Sequence, residues 1–170
     1  MVIFKAQESL KKAADLGVNA ERGRILLNDS MRLFEQVAKS LSYENLVATV
    51  NQYIQLEFYA GAIRLALKVA NEWDRGNKAL SWVRDSRDHG GDPNDLRRQF
   101  YEKRASCYTL VCKVIEAVDY AYNTQGPVPD GIISPVTRRK HEAYEQINNS
   151  DDEVFQNYLY DGVSVKLACC

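Results

Sequence analysis

Nowhere in its 170 residues does the sequence carry an apolar run approaching the roughly 20 residues that a bilayer-spanning helix requires. No membrane insertion by this chain is expected. It also lacks an excess of either charge: 22 Lys and Arg against 23 Asp and Glu leave a net charge of −1. That balance argues against direct binding of nucleic acid, whose partners usually present a basic face. Arg138, Arg139 and Lys140 form the only tight basic cluster, and a solvated helix face is expected there. A secretory leader is not expected, because Met-Val-Ile-Phe is followed at once by Lys5 and then by Lys11 and Lys12. The triplets at Asn28 and Asn148 then lack the compartment that would glycosylate them.

The four cysteines make no metal or redox motif. Cys107 and Cys112 lie five apart on an expected helix, about 140° around its axis, and cannot share one ion. They read as core-filling thiols of a reducing compartment. Cys169 and Cys170 end the chain like a prenylated double-cysteine tail, but no phosphate loop of the Gly-x-x-x-x-Gly-Lys-Ser/Thr type occurs to support that idea.

Helical periodicity fills the space these absences leave. Between Ala20 and Ser40 the residues Leu27, Met31, Phe34, Val37 and Ala38 recur at three- and four-residue steps. Ser42 is placed to cap a helix whose buried side carries Leu46, Val50, Tyr53 and Ile54. A tight connection at Glu57 and Phe58 then leads into "YAGAIRLALKVANEW", giving a helical hairpin. In this second helix Ala62, Ala66 and Ala70 recur every four residues and form a groove for a close-packed neighbour, flanked by Ile63, Leu67 and Val69.

A shorter helix with Leu80 and Trp82 is expected next, then a polar loop, "RDSRDHGGD". Asp92 and Pro93 read as the start of a long helix with the stripe Leu96, Phe100, Cys107, Val111, Ile115 and Val118, reaching to about Tyr122 and spanning about 45 Å. The stretch "TQGPVPDGIISP" excludes regular structure, so an inter-helix loop is expected near 123–134, with Ser134 and Pro135 opening the next helix. Ser150, with Glu153 three residues on, reads as a capping box for a helix bearing Val154, Phe155, Tyr158 and Leu159.

The sum is an all-α chain, an irregular α-solenoid segment of stacked antiparallel helical hairpins over 1–161. The residues 162–170, "GVSVKLACC", are expected to be an atypical, disordered tail that leaves the last apolar face partly uncovered. A tetratricopeptide array is suggested by the spacing, since Ser42 to Asn77 approximates that repeat's ~34 residues. With Tyr53 and Ala62 in register, however, Val50, Val69 and Asp74 stand where its glycine, second alanine and proline belong.

Three segments carry a different resemblance. They are "LSYENLVATVNQYIQLEFYAGAIRLALKVANEWDRGNKALSW" (Leu41 to Trp82), "YEKRASCYTLVCKVIEAVD" (Tyr101 to Asp119) and "SDDEVFQNYLYD" (Ser150 to Asp161). They resemble the large inner-ring scaffold nucleoporins of fungi and animals, whose members join an N-terminal β-propeller to a long α-helical solenoid. The resemblance implies a fragment of the C-terminal solenoid at the nuclear pore complex of the nuclear envelope. It further implies a structural role in pore assembly and nucleocytoplasmic transport, with other nucleoporins, including linker nucleoporin peptide segments, as partners. An unrelated tetratricopeptide-like adaptor that binds peptides is the alternative.

No enzyme site competes with this reading. His89 lies among Asp85, Asp88, Asp92 and Asp95 but without the i, i+4 spacing of a helical zinc site. His141 has only Glu142 and Glu145 nearby, as expected of solvated surface. No catalytic, cofactor-binding or metal residue is assigned, no small-molecule substrate is expected, and the partner-binding residues remain unassigned.

Overall fold

The computed structural model describes residues 1–89 and 91–168, with the side chains of 88–89 and 163–168 outside the description. Its elements are α1 (Val2–Leu16), α2 (Glu21–Gln36), a 3-10 turn (Ala38–Ser40), α3 (Tyr43–Gln55), α4 (Tyr59–Trp73), α5 (Lys78–His89), α6 (Arg97–Thr124), α7 (Pro135–Asn148) and α8 (Glu153–Ala168). There is no strand among the described residues. The all-α expectation follows directly from the 3.6-residue spacing of apolar positions.

α1 and α2 pack as a hairpin; Ala6, Leu10 and Ala13 are buried on α1, and Leu27, Met31 and Phe34 on α2. Gly17 makes the turn possible because its φ of 87° lies where a side chain is strained. α4 is the central element, in contact with α2, α3, the 3-10 turn, α6 and α7. Its Ala62, Ala66 and Ala70 are all fully buried, and so are Ile63, Leu65 and Val69. A helix buried on most of its circumference must be apolar almost all round, and the small alanines let α6 approach.

The hairpin of α3 and α4 closes through Leu56, Glu57 and Phe58, with Glu57 at a φ of 53°. The Phe58 ring packs edge-on against Tyr53, 5.0 Å between centroids. It also lies over Gly61, where a Cβ would sit 2.0 Å from Cε1 of that ring. Glycine is therefore a packing requirement at position 61. Beneath the rings, Tyr53 Oη and Ser30 Oγ are 2.7 Å apart, and Ser30 Oγ donates to the Leu27 carbonyl at 2.8 Å.

Four local expectations change. The polar stretch from Asp85 to His89 is helical, the second half of α5, because its long side chains find partners at the surface: Arg84 pairs with Glu153 at 2.7 Å and Arg87 donates to Asn157 of α8. Asp92 does not cap α6. Its Oδ1 accepts from Asn94 N at 2.9 Å in a turn, and the helix begins at Arg97, whose backbone N–H donates to Asp95.

At α8 the cap is Asp152, which accepts from Phe155 N at 3.1 Å, while Ser150 Oγ accepts from Asp152 N. Nor does α8 stop at Gly162. It continues to Ala168, since a single glycine costs a helix only about 1 kcal/mol and no proline follows. Its apolar face is covered in part: Val154 and Phe155 are buried, with Tyr108 5.0 Å from Phe155 and 5.5 Å from Tyr158 between ring centroids, while Tyr158 and Leu159 are half-buried. Cys169 and Cys170 lie outside the described residues. The loop before α7 occupies 125–134, and Ser134 caps α7 by accepting from Thr137 N at 3.1 Å, with Pro135 in its first turn.

Candidate protein-interaction surface

The residues weighed for chemistry are not brought together. Asp85 and Asp95 both pair with Arg97, at 2.6 Å each, and the His89 side chain lies outside the described residues. His141 stands on the surface, 78% exposed, 3.3 Å from Glu145. No group of three potential metal ligands occurs among the described residues. Cys107 is fully enclosed, and burial pushes its thiol up to about 12, the opposite of a reactive cysteine. Cys112 is half-buried. No helix among the described residues is long and apolar enough to cross a membrane.

Polar chemistry is spent instead on joints between helices. Arg104 of α6, 2% exposed, reaches Asp74 at 3.2 Å, Asp152 at 2.7 Å, Asn71 at 3.0 Å and Tyr108 Oη at 2.8 Å. Tyr108 Oη in turn donates to Asp152 at 2.8 Å. Asp74 serves two helices at once, because its carboxylate also accepts from Lys78 N and Ala79 N at 2.9 Å and so caps α5. Burial alone would depress the Arg104 guanidinium, but Tyr108, Asp152 and Asp74 outweigh it and hold it protonated. The end of α4, the start of α5, the middle of α6 and the start of α8 are thereby tied to one side chain.

This joint was not foreseen from the sequence, although a signal existed. Arg104 falls on the apolar stripe itself, one turn before Cys107 and Tyr108 and two before Val111. A lone arginine at a core position demands buried acids.

A second joint closes the α3–α4 turn. Arg24 of α2 donates to the carbonyls of Leu56 at 2.6 Å and Glu57 at 2.9 Å, and Arg139 of α7 pairs with the Glu57 carboxylate. The expected solvated face at 138–140 is therefore corrected. Arg138 is exposed, but Arg139 is only 12% exposed and Lys140 lies 3.3 Å from Asp119 and 4.1 Å from the centre of the Tyr122 ring. A helix that packs on two neighbours has too little free circumference for three consecutive solvated positions.

With the interior closed, the surface offers grooves between helices. One of about 500 Å3 is lined by Lys39, Tyr43, Glu72, Trp73, Lys103 and Ser106. Another, about 420 Å3, runs between α1 and α3 past Leu10, Ala14, Ala48 and Leu56, with Gln7, Asn45, Gln52 and Gln55 at its sides. Such concave surfaces between stacked helices can receive segments of other proteins.

Known proteins share this architecture. The family model of the non-repetitive/WGA-negative nucleoporin C-terminal domain matches residues 1–163. Nucleoporin NUP170 of Chaetomium thermophilum is 44% identical over 161 residues, 95% of this chain and 11% of that protein. A probable nucleoporin of Schizosaccharomyces pombe is 34% identical over 166 residues, 98% of this chain and 12% of its own length. The chain thus spans about a tenth of the curated relatives it matches. Among solved structures, the complex of the Chaetomium thermophilum Nup170 CTD with Nup145N superposes with a TM-score of 0.80 at 43% identity, covering 96% of this chain and 31% of that one. With the hairpin stack, the closed interior and this match over nearly its whole length, the chain belongs to the nucleoporin family defined by that C-terminal domain, as a segment of its α-solenoid.

Proposed function

We propose that the chain is a structural, non-enzymatic constituent of the inner ring of the nuclear pore complex, at the nuclear envelope. It supports pore assembly and nucleocytoplasmic transport by presenting helix surfaces to other nucleoporins, including their linker peptide segments. The observation that carries this is the family match over residues 1–163, which leaves little of the chain outside the shared solenoid. The nucleoporin partnership is supported by Nup145N bound to the related Chaetomium thermophilum domain. No small-molecule substrate, direct nucleic-acid contact or membrane insertion by this segment belongs to the reading.

The test is a replacement. In Schizosaccharomyces pombe, the matching segment of the related nucleoporin is exchanged for this chain and the chimera carries a fluorescent tag. A rim of fluorescence at the nuclear envelope is expected, as for the parent protein, with loss of the rim when the segment is deleted. A stably expressed chimera that stays diffuse would overturn the proposal.

A further inference from the structure

The groove formed by Lys39, Tyr43, Glu72, Trp73, Lys103 and Ser106 takes no part in either polar joint. At about 500 Å3 it is sized for a few side chains rather than an ion. The 3-10 turn, the first turn of α3, the end of α4 and the middle of α6 meet there. Two rings line it: Tyr43, 43% exposed, and Trp73, half-buried.

The charges around those rings do not balance. Glu72, the one acid in the lining among the described residues, is shared between Arg75 at 2.6 Å and Lys68 at 3.2 Å. Hydrogen bonds from Arg75 and Lys68 hold its carboxyl below the usual range, so it is an ion already answered twice. Lys39 and Lys103 are exposed and have no carboxylate partner among the described residues; Lys103 lies only over the Phe100 ring, 5.8 Å from its centre. In a chain whose net charge is −1, two unanswered cations beside two rings form a local feature of one sign.

We propose that this groove binds an acidic peptide segment bearing a large apolar or aromatic side chain, which rests on Tyr43 and Trp73 while flanking carboxylates meet Lys39 and Lys103. This rests on the reading that the chain acts through protein contacts, and names the chemistry of one such partner. A nucleic acid fits less well. Two lysines would release only about two counterions, and the weakly negative molecule adds no attraction at long range. The peptide uses both features of the groove, with apolar contact at the centre and charge pairing at the rim.

The experiment uses the full chain and a fluorescein-labelled synthetic peptide with one Phe at the centre of alternating Asp and Glu. Its counterpart carries Asn and Gln in place of the acids. Saturable binding is expected for the acidic peptide by fluorescence anisotropy. It should weaken at least about ten-fold with the amide peptide, and equally in the chain carrying Lys39→Glu and Lys103→Glu together. Lys5→Glu, far along the sequence and exposed, should leave it unchanged, and circular dichroism checks that each variant keeps its helices.

Equal binding by the charge-reversed chain would overturn the proposal. So would displacement of the peptide by an oligothymidylate, which would make the groove a nucleic-acid site. The two readings fail separately. A chimera that reaches the nuclear rim although the acidic peptide does not bind sinks the groove alone. One that stays diffuse while the peptide binds through Lys39 and Lys103 sinks the pore assignment alone.

Discussion

At the scale of single residues, Arg104 matters most. Its guanidinium compensates two buried acids, Asp74 and Asp152, with side-chain exposures of 1% and 3%, so removing it strands both. Breaking one side of a buried ion pair costs about 3–5 kcal/mol, because the partner keeps its desolvation penalty. Arg104→Leu should lose stability on that scale in a urea melt. The triple change Arg104→Leu, Asp74→Asn and Asp152→Asn should recover part of it, since the neutral amides bury no charge. A single Arg104→Leu within about 0.5 kcal/mol of the parent, the range of an ordinary surface change, would contradict the role assigned here. Of the residues that build this cluster, the sequence displayed Arg104 plainly on an apolar stripe. It did not display which of 23 acids would meet it, because Asp74 and Asp152 lie 30 and 48 residues away.

At the scale of elements, success and failure in reading helix starts have one physical origin. Ser42 and Ser134 act as expected because no neighbouring residue competes for the cap: each hydroxyl accepts from its own first turn, from Asn45 N and Thr137 N, and Ser134 Oγ can still donate to Gln125. Ser150 and Asp92 satisfy the same local pattern but lose the position to a neighbour. Asp152 can cap α8 and meet Arg104 with one carboxylate, and Asp95 can accept from the first turn of α6 while pairing with Arg97. Tertiary partners thus select among local candidates that propensity ranks alike. Asp152→Ala should therefore cost markedly more than Ser150→Ala, which is expected to stay below about 1 kcal/mol as an auxiliary turn contact. Comparable losses in paired thermal melts would restore Ser150 as the cap. The polar half of α5 was illegible for a related reason: nothing local shows that Arg84 and Arg87 have Glu153 and Asn157 of α8 to meet.

At the scale of the whole molecule, the stack of helical hairpins and the close packing along α4 were legible, since an alanine row every four residues has few uses other than close packing; that α4 is the central element was not. The grooves were not, because their walls come from helices distant in sequence. The closed interior also sets a response to alkali. Burial raises the ionisation of Cys107 from 9.0 to about 12 and lifts Tyr53 and Tyr108 well above their ordinary 10.0. These groups keep their protons in the folded chain at pH values where the unfolded chain gives them up. Their contribution is therefore complete below about pH 9 and is lost as pH rises toward their folded values. Urea midpoints should hold up to pH 8 and fall from pH 9 to 11, with a smaller fall for Tyr53→Phe; a flat profile would contradict the burial of these groups. The polar joint at Arg104 also has a mechanical consequence. Its bonds are directional and weaken within about an ångström of displacement, whereas the apolar contact of α1 on α2 can slide while staying buried. Pulled along the stack, the chain would be stiff and brittle where α4, α6 and α8 meet and compliant between α1 and α2, a beam riveted at its polar joints and yielding where only apolar contact holds it.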